Sequence, residues 1–342
     1  MYNLLVGCYS GEGDGIYSYT LCKNGKFALQ NSFDEHRNPT YLAKKGNIIY
    51  AACEQETGKI AALEFDGSKL RTINTLDIPG AGTCHVAAHP TKKLLFASNY
   101  VSGDEVLCRL NEDGSIGDII DHVKYKGTSH CHCVAIAPDA FETISVNLGR
   151  DKIYLRGYNV VDRQRPDTGT PPSVSLKLPQ GAGPRHFIFH SSGKFGYLVT
   201  EMANTVVAYS YEAGNLQKLQ ELPLLPPSYK DQSYAAAIKI SPCGRWLYVS
   251  NRGYDGITLF AIDATTGQLT LKYLYPTGGH WPRDFCLTPL GEMIIVANQK
   301  SNNLVSFAVD THTGAIGRQL DTTTVTNPAC VVMAEVSSIT IA

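Results

Sequence analysis

The chain repeats itself at a period near fifty residues, and no other feature restricts its fold as strongly. From Val86 it reads VAAHPTKKLLFASNYVSGDEVLCRLNEDGSI, and from Phe187 FIFHSSGKFGYLVTEMANTVVAYSYEAGNL. From Ile238 it reads IKISPCGRWLYVSNRGYDGITLFAIDATTGQL, and from Phe285 FCLTPLGEMIIVANQKSNNLVSFAVDTHTGAI. Weaker copies begin at Val134 and near Tyr41, and the stretch from Leu4 to Phe27 holds the second half of another. Pro90, Pro138, Ser191, Pro242 and Pro289 share one turn position, at spacings of 48, 53, 51 and 47 residues.

Each copy decodes into four strands. A short apolar run is followed by a Pro- or Gly-bearing turn, a second apolar run, a loop, an alternating run and a last strand. In the copy from Val86, Val106, Cys108 and Leu110 alternate with Glu105, Leu107 and Arg109. Period-two alternation means strands with one buried face, and no stretch carries convincing helical periodicity. Six and a half copies plus one spare strand, Ala329–Met333, make seven. The predicted fold is therefore all-β: a seven-bladed β-propeller of four-stranded antiparallel blades, forming one domain over residues 1–342. The C-terminal strand completes the N-terminal blade, and this closure protects the sheet edges. An open β-solenoid would not need such complementary ends.

Composition removes several alternatives. Lys plus Arg total 30 and Asp plus Glu 31, a net charge of −1. This balance argues against a nucleic-acid or membrane-surface partner. The N-terminus lacks the basic and apolar regions of a signal peptide, and no apolar run reaches the ~18 residues of a membrane span, so a cytoplasmic location is expected. The ten cysteines are expected to be reduced; Cys8, Cys22, Cys53, Cys84, Cys108, Cys243, Cys286 and Cys330 read as small buried hydrophobes in strands. His36, His89, His190 and His312 read as surface turn residues, and Trp246 as core. No cofactor signature is present, and a monomer or weak dimer is expected.

In a propeller the first strand of each blade lines the central channel. The positions opening that strand read Cys84-His85, His132-Cys133, Arg185-His186, Ala236-Ala237, Arg283-Asp284 and Ala329-Cys330. Four of these six pairs carry an ionisable His, Arg or Asp, whereas a purely structural position would be small or apolar throughout. Polar groups converging on one concavity are the default site. A second position, ending the second strand, reads Glu54, Asn99, Asn147, Glu201, Asn251 and Asn298. Asn there is explained by turn capping. Glu caps poorly, so Glu201, in the blade of Arg185 and His186, is the candidate working carboxylate, with Arg252 on the same rim. In His130-Cys131-His132-Cys133, alternation sends both histidines to one face, which suits anion binding or acid–base work better than a metal. Trp281 is placed to wall the pocket.

These residues resemble the lactonase family of seven-bladed propellers. The resemblance rests on CHVAAHP at Cys84–Pro90, SHCHCVAIAPD at Ser129–Asp139, GAGPRHFIFH at Gly181–His190, ISPCGRWLYVSNRG at Ile240–Gly253, PRDF at Pro282–Phe285 and NQKSNN at Asn298–Asn303. The family includes propeller-type 6-phosphogluconolactonases, and a fungal carboxy-muconate cyclase is related. The resemblance implies a catalytic group of His132, Arg185, Glu201 and Arg252. It also implies an anionic lactone substrate of the pentose phosphate pathway; from their place at the mouth, His85, His130, His186, Arg283 and Gln299 are the candidate substrate-binding residues. Either Glu201 or His132 would be the base, or Glu201 would orient Arg185. A non-catalytic ligand- or protein-binding propeller, a lactonising cyclase and a different lactone are the alternatives.

Overall fold

A computed structural model describes residues 1–11, 15–139, 142–157, 174–212 and 214–334. It contains seven four-stranded antiparallel sheets. Blade 1 joins Pro328–Ala334 to Tyr2–Cys8, Ile16–Leu21 and Phe27–Phe33. The innermost strands of blades 2 to 7 are Pro39–Lys45, Thr83–Ala88, Cys131–Ile136, Pro184–Phe189, Tyr234–Ile240 and Pro282–Leu287. Each of these seven strands contacts the next around the ring, and the last contacts the first. Among the described residues no helix is long and apolar enough to cross a membrane.

The core is split into seven parts, one between each pair of neighbouring blades, because each blade buries both faces. Between blades 5 and 6, for example, Tyr197, Val199 and Ala208 pack on Ile238, Leu247 and Phe260. The interface of blades 3 and 4 is the most weakly apolar, with Leu94, Phe96, Leu107 and Val134 as its buried residues. Polar groups fill the remainder: Asp121 pairs with Arg156, and Tyr125 donates to Glu105 at 3.1 Å. Burial pushes the Glu105 carboxyl up to about 7.

The closing strand is fixed on both faces. Cys330 and Ala334 pack toward blade 2, while Val331 packs toward blade 7. Its Val331 N–H donates to Asp284 Oδ2 at 3.0 Å, and Lys239 Nζ lies 3.4 Å from the other oxygen of Asp284. This blade-to-blade clasp ties the two chain ends into the ring.

Several sequence expectations need correction. All ten cysteines are free, but Cys22 is half-buried and Cys243 exposed, because Cys243 lies in a turn rather than a strand. His89, His190 and His36 are buried. His89 Nδ1 accepts the Thr91 and Lys92 N–H groups, and His190 bonds Ser192 and, across the blade interface, the Gly244 carbonyl at 2.9 Å. These imidazoles do the turn-locking that Ser241 and Thr288 do in blades 6 and 7. Trp246 is half-buried and bridges blades, its Nε1 donating to the Thr311 carbonyl.

Closure gives a direct test. Val331→Asp places a charge at a site 2% exposed, whereas Leu290 is 74% exposed. We expect Val331→Asp to lower the unfolding free energy in urea by at least ~3 kcal/mol and Leu290→Asp by under ~0.5 kcal/mol.

Candidate active site

The site is written in a backbone register common to all seven blades. Near its start each innermost strand pairs with the end of the second strand, as Pro328–Cys8, Pro39–Cys53, Thr83–Asn99, Cys131–Asn147, Pro184–Thr200, Ala235–Asn251 and Pro282–Asn298. Immediately afterwards the ladder slips in every blade. The slip is a β-bulge, which leaves a residue unpaired and re-aims its side chain. The bulge residues are Ala329, Thr40, Cys84, His132, Arg185, Ala236 and Arg283. All but Ala236 line one small cavity at the ring centre.

The residues following the paired position on the second strand form a rim: Tyr9, Glu54, Tyr100, Leu148, Glu201, Arg252 and Gln299. Glu54 and Glu201 therefore stand one residue beyond Asn99, Asn147, Asn251 and Asn298, with which the sequence comparison had aligned them. Those asparagines are buried and structural: Asn99 donates to the Pro79 carbonyl, and Asn298 to that of Thr277.

Entry into the innermost strand is sharply bent in most blades. Asn327, Asn38, Gly82, Gly183 and Trp281 precede it with φ between +46° and +68°. At Gly183 a Cβ would lie 2.5 Å from Met202 Cγ, so a side chain there would have to displace Met202. Trp281 adopts this conformation at φ +68°, unusual for a bulky residue, and its ring walls the mouth. Arg252 lies 5.6 Å from that ring and Lys300 3.3 Å from it.

The structure joins Arg185, Glu201 and Arg252. Glu201 Oε2 lies 3.1 Å from Arg185 Nε and 3.0 Å from Arg252 Nη2. The Arg185 Nε contact is an ion pair without hydrogen-bond alignment. Backbone carbonyls aim both guanidiniums: Arg185 donates to Ala236 at 2.8 Å, and Arg252 to Ala235 at 3.1 Å. Both arginines are buried. Burial and the neighbouring Arg185 pull the Arg252 pKa down to about 9, against the pull of Glu201, so it remains charged at neutral pH.

His132 and His186 are neutral. His132 is held well below its usual pKa by burial, then by Arg185 and Arg283. Its buried Nδ1 has no hydrogen-bond partner. Its ring lies 5.2 Å from that of His186, which burial and Arg185 also hold well down. His130 stacks on Tyr100 at 4.6 Å and bonds the Tyr100 carbonyl, while His132 meets the edge of the same tyrosine at 5.8 Å. Arg283 donates to Tyr9 Oη at 2.8 Å, and Tyr9 donates to Glu54 at 2.7 Å. Burial works against the Arg283 charge, but Tyr9, Glu54 and Glu201 hold its pKa above the ordinary value. Gln299 is half-buried in the rim register, with a buried Oε1 lacking any partner.

His85 takes up a structural task. In three blades the residue after the bulge faces an N–H group on the inner edge of the next blade. Val134 N–H approaches His85 Nδ1 at 3.5 Å, Leu42 N–H approaches Cys330 Sγ at 3.4 Å, and Val331 N–H bonds Asp284. His85 also packs on Tyr41 at 4.3 Å, and burial pushes its pKa down to about 3.

The fold agrees with a known group. A profile described as "Lactonase, 7-bladed beta-propeller" matches residues 3–333. The chain belongs to the lactonase family. It is 32% identical over 297 residues to the 6-phosphogluconolactonase of Bacillus subtilis, covering 82% of this chain and 83% of that protein. A putative 6-phosphogluconolactonase from Bacteroides fragilis superposes with a TM-score of 0.88 at 29% identity, over 98% of both chains. The periplasmic gluconolactonase of Pseudomonas aeruginosa superposes at 0.92 and 28% identity, over 98% of this chain and 99% of that one.

Comparison of blades by sequence missed Tyr9, Glu54 and Tyr100 as site residues. The available signal was Glu54, which shares the rim register with Glu201. The neutral histidines carry a stability signature. Their folded pKa values lie below the ~6.5 of an unfolded chain. Their contribution is complete above that pH and is lost as pH falls, at up to ~1.4 kcal/mol per pH unit per group. We expect the urea midpoint to fall between pH 7 and pH 5, and His85→Gln, which keeps an acceptor but cannot titrate, to flatten that fall.

Proposed function

We propose that the ring mouth hydrolyses a sugar lactone, 6-phospho-D-glucono-1,5-lactone, to 6-phosphogluconate. The observation that carries the reading is a carboxylate shared by two buried guanidiniums beside an unpartnered neutral imidazole. The names of the relatives from B. subtilis and B. fragilis support the substrate class. Three arginines face Glu54 and Glu201, Lys239 offsets Asp284, and His132 and His186 add no charge, so the mouth is net positive and suits an anion.

Hydrolysis adds water to the lactone carbonyl, passes through a tetrahedral oxyanion and breaks the bond to the ring oxygen. Arg185 and Arg252 hold the developing oxyanion. His132 takes the proton of the attacking water. An anionic substrate offsets the two arginines that depress its basicity, so the base strengthens when substrate binds. The proton passes to the leaving ring oxygen, and the new carboxylic acid ionises in water. Glu201 keeps both guanidiniums aimed and separated, which makes it a positioning residue.

Rates must be corrected for spontaneous opening of the lactone. His132→Ala is expected to lower kcat by ~10²–10⁴-fold. It should also remove the loss of rate on the acid side of the pH profile. Glu201→Gln should lower kcat while retaining that acid limb. Wild type should prefer the phosphorylated lactone to D-glucono-1,5-lactone. Equal turnover of both would reduce the reading to an unphosphorylated sugar lactone, and wild-type rates in both variants would refute the assignment.

A further inference from the structure

The reaction cluster occupies one side of the mouth. On the other side lies a second arm, from blades 1, 2 and 7, with no duty in the steps above. Glu54 Oε2 accepts hydrogen bonds from Tyr9 at 2.7 Å and from Thr40 Oγ1 at 2.8 Å. Tyr9 Oη in turn accepts from Arg283 at 2.8 Å. Glu54 Oε1 has no hydrogen-bond partner among the described residues, and Glu54 is only half-buried.

From this geometry we infer that the Glu54–Tyr9–Arg283 arm binds vicinal hydroxyls of the lactone ring and selects polyhydroxylated lactones over plain ones. The inference rests on the reading of the mouth as a lactone-hydrolysing site. A hydroxyl is both donor and acceptor. It is matched by an open carboxylate oxygen set close to guanidinium N–H groups, since one takes its proton and the other supplies one. A phosphate or a second carboxylate is not matched there, because it would meet Glu54 with like charge. The arm is also charge-balanced, one carboxylate to one guanidinium, so it gains little from binding an anion. The Thr40 and Tyr9 bonds fix the carboxylate plane, and burial keeps the Tyr9 phenol protonated and donating.

Glu54 and Glu201 share one backbone register in different blades, yet their partners divide the work. Two arginines converge on Glu201, whereas hydroxyl donors converge on Glu54. A carboxylate held by neutral donors keeps more of its accepting power for a ligand than one shared by two cations.

The test compares D-glucono-1,5-lactone with δ-valerolactone, which has the same ring and no hydroxyls, in wild type, Glu54→Gln and Tyr9→Phe. One lost charge-assisted hydrogen bond predicts that the ratio of kcat/KM values, hydroxylated over plain, falls ~10–100-fold, mainly through KM of the gluconolactone. If δ-valerolactone turns over too slowly to time, its inhibition constant against gluconolactone replaces its kcat/KM in the ratio. An unchanged ratio, whether both lactones suffer or neither does, overturns the inference, because a purely structural arm would affect both alike. If Glu54→Gln does not fold, Tyr9→Phe alone decides. Wild type inert toward every lactone, the phosphorylated one included, would instead overturn the hydrolase reading itself.

Discussion

Every blade slips its ladder at the start of its innermost strand, and the site depends on that slip. A regular strand would send successive side chains alternately into the two blade interfaces, where they would join the apolar core. The bulge frees one position per blade from that alternation. Arg185, Arg283 and His132 occupy it, and they line the central cavity rather than the seven apolar interfaces. Each innermost strand is also the edge of its sheet, so its inner N–H groups have no ladder partners. Side chains such as Asp284 and His85 receive them from the neighbouring blade. The bulge thus supplies the ring of cavity-lining side chains, and the edge position of the same strand creates the need for the structural ring beneath it.

Charge balance sets the chemistry within that frame. Buried guanidiniums are tolerated because each has a carboxylate or backbone carbonyl at hydrogen-bond distance. The histidines stay neutral because the same arginines and the burial oppose a further positive charge. The mouth thereby combines fixed cations with neutral imidazoles, a pairing suited to the proposed reaction of an ester carbonyl that becomes an oxyanion. Trp281 and Tyr234 sit near Arg252 and shield it from water.

The blade count and the shared first blade were legible because turns and period-two alternation recur in every copy, and Ala329–Met333 reads as a strand lacking its sheet. Arg185, His132 and Arg283 were legible because structural positions in a repeat should look alike and these do not. The rim was misread by one residue. Glu201 and Asn251 are both polar strand ends, but strand pairing puts Thr200 beside Asn251 and Glu201 beside Arg252. Tyr9 and Glu54 escaped notice because their link to Arg283 spans 274 residues and exists only once the ring has closed. His89 and His190 were misjudged for a related reason: a turn histidine is buried when its ring replaces a hydroxyl as the turn's acceptor.

The account centres on the bulge and rim residues forming one active site at the ring mouth. Crystals of the protein with 6-phosphogluconate, the product of the proposed reaction, test this most directly. The account predicts the product carboxylate within ~3 Å of the Arg185 and Arg252 guanidiniums, with hydroxyls against Glu54 and Arg283. Product bound on another surface at saturation, with the mouth holding none, would contradict it.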